Sequence, residues 1–391
     1  MSEPIRVAHV VGKMVGGGLE AVVMNYYRHI DRTKVQFDFI VDEDSTLVPR
    51  EEIDSLGGRV FTVPPYQRVV AYQKALVTLF REQGWKIVHS HENALSVFPL
   101  RAAKRAGVPV RIAHSHSTSG PGEPVRNAMK WVLRRFANAY PTHRMACTRH
   151  AGEWLFGKGA DFEILYNAIE LDRFLFDSRA RAEVRDELGI PEGAIAIGHI
   201  GRFVAQKNQG FLLEAFSRVV QDGASAVLVL AGDGPLRPEI EREAKGLGIA
   251  GSVRFLGQRN DANRLYQAFD VFCLPSLYEG LGIVAVEAQA AGLLCLLSVE
   301  VPREADVTGA VRFLPIDDVS IWADALAEVE SGARIKARRE DFADYDIEQA
   351  GKRVEEWYLG LASSPSLSTQ RSPLGRKPAP ADAETMRGSE G

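Results

Sequence analysis

Two parallel α/β domains of Rossmann-like type, facing each other across a cleft, are what this 391-residue sequence predicts. Three observations carry the prediction. The chain is longer than one ordinary hydrophobic core requires, so two domains of roughly 150–200 residues follow. Short apolar runs alternate with helical patterns through the first half, which implies a parallel sheet covered on both faces. That rhythm stops near Leu171–Pro191 and then restarts.

In the first series Ile5–Val11 is apolar enough for a buried strand. Gly12–Gly18 follows as a loop and Leu19–Ile30 as a helix. Strands are expected at Val35–Val41, Ile87–His91 and Val110–Ser115, with a helix over Ala94–Ala106. The charged, helix-like stretch Arg179–Leu188 separates the two series. In the second, strands are expected at Ala194–Ile200, Ala226–Ala231, Val253–Leu256, Val271–Leu274 and Leu293–Ser298. Helices over Gly210–Val220, Pro238–Gly246, Leu265–Ala268 and Gly282–Ala291 alternate with them. The domains are accordingly 1–172 and 173–347. A last helix, 348–361, is expected to cross back to the first domain. The tail 362–391, rich in Ser, Pro, Ala and Gly, is expected to be disordered and without chemistry.

Composition bounds the function. With 47 basic against 51 acidic residues the net charge is −4, which argues against a nucleic-acid binder. Cys147, Cys273 and Cys295 lie far apart in apolar runs and read as reduced core residues. No charged-then-apolar leader opens the chain, and no apolar run approaches the roughly 18–20 residues that span a bilayer. A cytoplasmic protein, at most peripheral on the inner face of the plasma membrane, is the expectation.

The segment Leu274–Gly292 carries most of the chemistry. A strand ends at Leu274, a glycine-containing loop holds Glu279, and a helix apolar on every side starts near Gly282; such a helix is buried. Glu287 lies within it, and a buried carboxylate needs donors, for which ligand hydroxyls are suitable. The helix N-terminus at Gly282-Ile283 offers free N–H groups to a phosphate. At a rise of ~1.5 Å per residue, Glu279 and Glu287 stand on the order of 10 Å apart, so each could reach hydroxyls on one side of a diphosphate. A nucleotide-sugar has that layout. The competing reading pairs Glu287 with a buried Arg or Lys and leaves Glu279 solvated. A second motif, Gly201-Arg202-Phe203-Val204-Ala205-Gln206-Lys207-Asn208, places two cations at a strand's carboxyl end. Fixed cations there stabilise a departing diphosphate more than the ground state.

Glu279, seven intervening residues and Glu287, with Glu-Gly-Leu in the loop and Glu-Ala-Gln-Ala-Ala-Gly on the helix, closely resemble the signature of glycosyltransferase family 4. The Gly-Arg…Lys-Asn element resembles a second motif of that family. Met24–Arg28, Gln36–Phe39, Ala113–His116 and Leu165–Ile169 are similar to its exopolysaccharide and capsular-polysaccharide subgroup, over roughly residues 5–360. Gly282 and Leu294 depart from it, standing where proline is usual.

The resemblance implies the two-domain GT-B fold and transfer of a hexose or N-acetylhexosamine with retention, by the family's front-face mechanism. The donor is a nucleotide-sugar, UDP by resemblance. The acceptor is a glycan or lipid-linked sugar. Glu279 would bind the sugar hydroxyls and Glu287 the ribose, with Gly280, Leu281, Gly282 and Ile283 lining the donor and Arg202 and Lys207 holding the diphosphate. Gly17 and Gly18, in the loop after the first strand, would face the phosphates and the acceptor. Arg254 and Leu256, before the loop with Arg259, would border the base. His116, with His114 as the alternate, would hydrogen-bond the transferred sugar. No cofactor or metal is required, because Arg202, Lys207 and the helix N-terminus supply the positive field.

Two other readings compete. Gly16, Gly18 and Ala21 fit the Gly-x-Gly-x-x-Ala dinucleotide fingerprint, with Asp42 at ribose distance, as in an NAD(P)-dependent oxidoreductase. His89-Ser90-His91 and His114-Ser115-His116 end two strands, and alternate strand residues face one way, so each pair could hold the metal of a hydrolase. Separately, 125–138 reads as an amphipathic helix. Val125, Met129, Val132, Leu133 and Phe136 form its apolar stripe, and Arg126, Lys130, Arg134 and Arg135 its basic side beside Trp131. With Arg101, Lys104 and Arg105 it forms a candidate face for an anionic membrane; a core-packed helix with a solvated basic side is the alternative.

Overall fold

A computed structural model describes residues 3–16, 18–116 and 124–363, with side chains from 128 onward in the last stretch. Gly17, the side chains of Val125 and Arg126, and the tail from 364 lie outside the described residues.

Seven strands form the first sheet: β1 (Ile5–Gly12), β2 (Val35–Asp42), β3 (Arg59–Val63), β4 (Ile87–Ser90), β5 (Val110–Ser115), β6 (His143–Ala146) and β7 (Glu163–Ile164), in the order β3-β2-β1-β4-β5-β6-β7. Six form the second: β8 (Ile195–Ile200), β9 (Ala226–Ala231), β10 (Val253–Gly257), β11 (Val271–Leu274), β12 (Leu294–Ser298) and β13 (Val311–Leu314), in the order β10-β9-β8-β11-β12-β13. All pairings are parallel. The expected strands are all present. β3, β6, β7 and β13 are additions, because their short runs carry little periodicity.

Strand alternation builds a core on each face. From β1, Val7 and Val11 join Ile87 and Ile112 on one side, while Ala8 and Val10 join Val88 and Ala113 on the other. The first of these faces is covered by the helices Gly18–His29 and Ile347–Ser363. The latter thus packs on the first domain although it follows the second in the chain. Glu355 ties it down, its Oε2 accepting from the Asp31 N–H at 2.8 Å and its Oε1 pairing with Lys34 Nζ at 2.9 Å. The two strands of chain that pass between the domains also pair with each other. The Ile169 N–H donates to Tyr345 O (2.7 Å) and the Ile347 N–H to Ile169 O (3.0 Å).

The charged stretch near Arg179 is not a free linker. The helix Ser178–Glu187 packs on the second domain through Val184, and its Arg181 and Arg185 both reach Asp270 at the foot of β11. Asp270 is buried and also accepts from the Ala196 and Gly332 N–H groups, so its charge is matched on every side.

Candidate active site

In both sheets the strand order reverses beside a central strand, between β1 and β4 in the first and between β8 and β11 in the second. Loops leaving such neighbours diverge and open a crevice beyond the carboxyl ends. In the second domain these are residues 201–208 after β8 and 275–282 after β11. They hold the two motifs that the sequence singles out.

The two loops are laced together. Lys207 Nζ donates to Glu279 Oε1 at 2.5 Å, and Ser276 Oγ donates to the same oxygen at 2.7 Å. Gln206 Nε2 reaches Glu279 Oε2 at 3.4 Å and Tyr278 O at 2.9 Å. Glu279 is buried, not a solvated loop residue. Glu287 lies on the helix Ile283–Ala290, and its Oε2 accepts from the Tyr266 hydroxyl at 2.8 Å. Among the described residues no cation hydrogen-bonds it, so the buried Arg or Lys pairing is absent. Burial raises its carboxyl to about 7; the Tyr266 hydrogen bond and the more distant Arg173 oppose the rise.

Gly282 caps that helix at φ +79°. A proline, locked near −65°, could not take this conformation, so the departure from the usual proline gives this loop its own path. Leu281 beside it is buried. Across the cleft Thr148, which caps the helix Arg149–Phe156, donates its hydroxyl to Gly280 O at 3.2 Å. The loop is therefore held from both domains.

Arg202 is exposed and forms no ion pair among the described residues. It borders an interdomain cavity of about 380 Å³ with Gly16 from the first domain and Gly201, Asp233, Gln258 and Arg259 from the second. Gly18 is exposed at the start of its helix. Gly232 lies against the backbone of Gly201: a Cβ there would stand 2.1 Å from the Gly201 carbonyl oxygen.

Arg254 belongs to the first half of β10, away from the carboxyl end. Its guanidinium donates to the carbonyls of Leu188 and Gly251 at 3.1 and 2.8 Å. Leu256 packs against the second-domain core. The cavity is reached instead by Gln258 and Arg259, after the strand ends.

His116 follows β5, and its N–H donates to Asn93 Oδ1 at 2.6 Å. Its ring turns into a stack of five histidines on the face beneath the helices Gly18–His29 and Ile347–Ser363. His9 Nδ1 meets His91 Nε2 at 2.9 Å, and His91 Nδ1 meets His116 Nε2 at 2.9 Å. His89 Nε2 meets His114 Nδ1 at 3.1 Å. Burial pushes all five rings below the ordinary range, His116 to about 3, so they are neutral at physiological pH. Sequence reasoning missed His9, Tyr266, Thr148 and Gln258. Ser276 alone carried a local signal, three residues before Glu279.

Comparison with known proteins decides the family. Residues 17–165 match the family described as Glycosyl transferase 4-like domain and residues 180–345 the one described as Glycosyl transferases group 1. Over 382 residues the chain is 36% identical to the protein named glycosyltransferase EpsF of Bacillus subtilis (strain 168), covering 94% of this chain and 97% of that one. This chain belongs to the group 1 glycosyltransferases. A second relative of this glycosyltransferase, 26% identical over 75% of the chain and 79% of the relative, is an Escherichia coli UDP-Gal:α-D-GlcNAc-diphosphoundecaprenol α-1,3-galactosyltransferase. Among solved structures, HepE of Anabaena in complex with UDP and glucose superposes with a TM-score of 0.71 at 16% identity, covering 92% of this chain and all of that one. Sucrose-phosphate synthase from Thermosynechococcus elongatus gives 0.72 at 16%, with the same coverage. The glycosyltransferase therefore has the GT-B fold. The family displaces the oxidoreductase and hydrolase readings. Asp42, the ribose partner of the former, is buried, and burial raises its carboxyl to about 6.

Proposed function

We propose that this glycosyltransferase moves a hexose or N-acetylhexosamine from a UDP-sugar, with retention, to a glycan or lipid-linked acceptor in exopolysaccharide synthesis. The reading is carried by the Lys207–Glu279 pair at the strand-order reversal, with Glu287 on the following helix, where among the described residues the Tyr266 hydroxyl and no cation hydrogen-bonds it. Ligand hydroxyl groups suit its remaining lone pairs. The relatives' names, with UDP, a galactosyl donor and a diphosphoundecaprenol acceptor, support the donor and acceptor classes.

In this reading the diphosphate lies between the N-terminus of the helix Ile283–Ala290 and Arg202, with the ribose toward Glu287 and the sugar toward Glu279. As the anomeric carbon–oxygen bond breaks, negative charge grows on the leaving phosphate. Arg202 and Lys207 stabilise that charge, so the transfer itself draws its positive field from the chain. The leaving phosphate takes the proton of the incoming hydroxyl on the same face of the sugar. His116 contributes a neutral ring to the sugar side. Calorimetry with UDP and a panel of UDP-sugars tests the donor. Saturable binding that is lost in Glu287→Ala supports the reading, and equal binding by the variant refutes it. The anomeric configuration of the product, read by NMR, tests retention.

We also propose that the chain works at the cytoplasmic membrane surface. Among the described residues no helix is long and apolar enough to cross a membrane. The helix Pro124–Arg134 and the turn after it expose Trp131, Val132 and Phe136, and Arg135 stacks over Trp131 at 5.3 Å. Exposed aromatics among cations favour an anionic interface.

A further inference from the structure

The five-histidine stack is larger than sugar binding needs. It joins three strands through ring contacts: the His9 and His89 centroids are 5.3 Å apart and those of His89 and His114 5.1 Å. Two hydrogen-bonded files run through the stack, His9–His91–His116 and Tyr358–His89–His114, and a neutral imidazole, with one N–H and one lone pair, has both nitrogens partnered only inside a file. Three buried ring nitrogens are accordingly left without partners: His9 Nε2, His114 Nε2 and His116 Nδ1. Each such group costs about 1–3 kcal/mol. They border a small cavity of about 20 Å³ whose other walls are apolar apart from Tyr26 and Tyr358.

We propose that His91, His114 and His116 form a binding site for a borderline transition-metal ion of the zinc class, and that its occupation holds His116 in the stack, away from the sugar, and slows transfer. One nitrogen from each of these residues lies within 4.8 Å of the others. Tetrahedral ligation at ~2.0–2.1 Å places donors about 3.3 Å apart, so modest ring rotation closes the set. The alternative triad, His9, His89 and His91, meets the same distance test. It contains one unpartnered nitrogen, His9 Nε2, where the chosen triad contains two, and His89 is already committed to the Tyr358 hydroxyl at 2.6 Å. Imidazole-only ligation suits Zn²⁺, Co²⁺, Ni²⁺ and Cu²⁺ and disfavours Mg²⁺ and Ca²⁺. Asp42 and Glu92 line a second cavity together with His91. The binding claim stands on the histidines alone; the effect on turnover rests on the transferase reading.

The test uses tag-free full-length protein stripped with a chelator. Titration with Co²⁺ should produce the visible absorption of a tetrahedral ion, and calorimetry should give one equivalent of Zn²⁺. His91→Ala and His114→Ala should each weaken binding at least about tenfold, while His9→Phe should retain it. X-ray absorption of the wild-type zinc complex should show nitrogen ligands. No saturable binding, binding unchanged in both alanine variants, or a sulfur ligand from Cys147 would overturn the site. UDP calorimetry on the same stripped protein reports separately on the transferase reading, and zinc-independent turnover in a protein that binds zinc refutes the inhibitory role.

Discussion

Lys207 Nζ stands 2.5 Å from Glu279 Oε1, joining the loop after β8 to the loop after β11. The lysine side chain is 16% exposed and the glutamate 8%, so the pair is poorly screened. The cation proposed for the diphosphate is already bound to the carboxylate proposed for the sugar. Donor entry must therefore share Lys207 between phosphate and Glu279, which couples recognition of the two ends of the donor.

Lys207→Ala should lower kcat/KM by about 10²–10³, the cost of losing one preorganised charge at a developing anion. It should also lower the melting temperature, because Glu279 keeps only Ser276 and Gln206; the loss is about 1–3 kcal/mol given partial solvent access. Steady-state kinetics and thermal melts read the two effects separately.

Glu287 supplies a pH dependence. Its folded carboxyl is raised from 4.5 to about 7. A raised acid contributes full stability below its unfolded value and loses it as pH rises through the folded value. Stability of the free protein should fall as pH rises from about 4.5 to about 7, by at most ~3 kcal/mol from this group. UDP affinity should rise over the same window, as the carboxylate becomes a better acceptor for ribose hydroxyls. Glu287→Gln should flatten both curves in denaturant titrations and calorimetry.

Gly232→Ala should damage donor binding without touching the donor motifs. At φ +132°, with a Cβ 2.1 Å from Gly201 O, alanine must push the loop that carries Arg202. A stability loss of about 1–3 kcal/mol and a raised KM for the donor are expected. An unchanged KM would show that the Gly201–Arg202 turn does not position phosphate.

Trp131→Ser should reduce co-sedimentation with anionic liposomes, and the Arg101/Lys104/Arg105→Glu combination should abolish it at low salt, at about 1 kcal/mol per charge. Neutral liposomes should bind neither protein. Equal sedimentation of all variants would remove the membrane face.

Much of the fold was legible because strand–helix alternation is written locally. The Glu279…Glu287 and Gly201…Asn208 motifs were legible because each lies in one loop or helix turn. Partners drawn from other elements were not. Tyr266 meets Glu287 from the preceding helix, and Thr148 meets Gly280 from the other domain.

By itself the sequence determined two parallel sheets and the local order of charges at their strand ends, since hydrophobic period and loop composition act over a few residues. Only the tertiary structure decided that Lys207 neutralises Glu279 and that His9 joins four distant histidines in one stack. Those relations depend on parallel strand order and register, which bring residues far apart in the chain side by side and leave no trace in the residues between them.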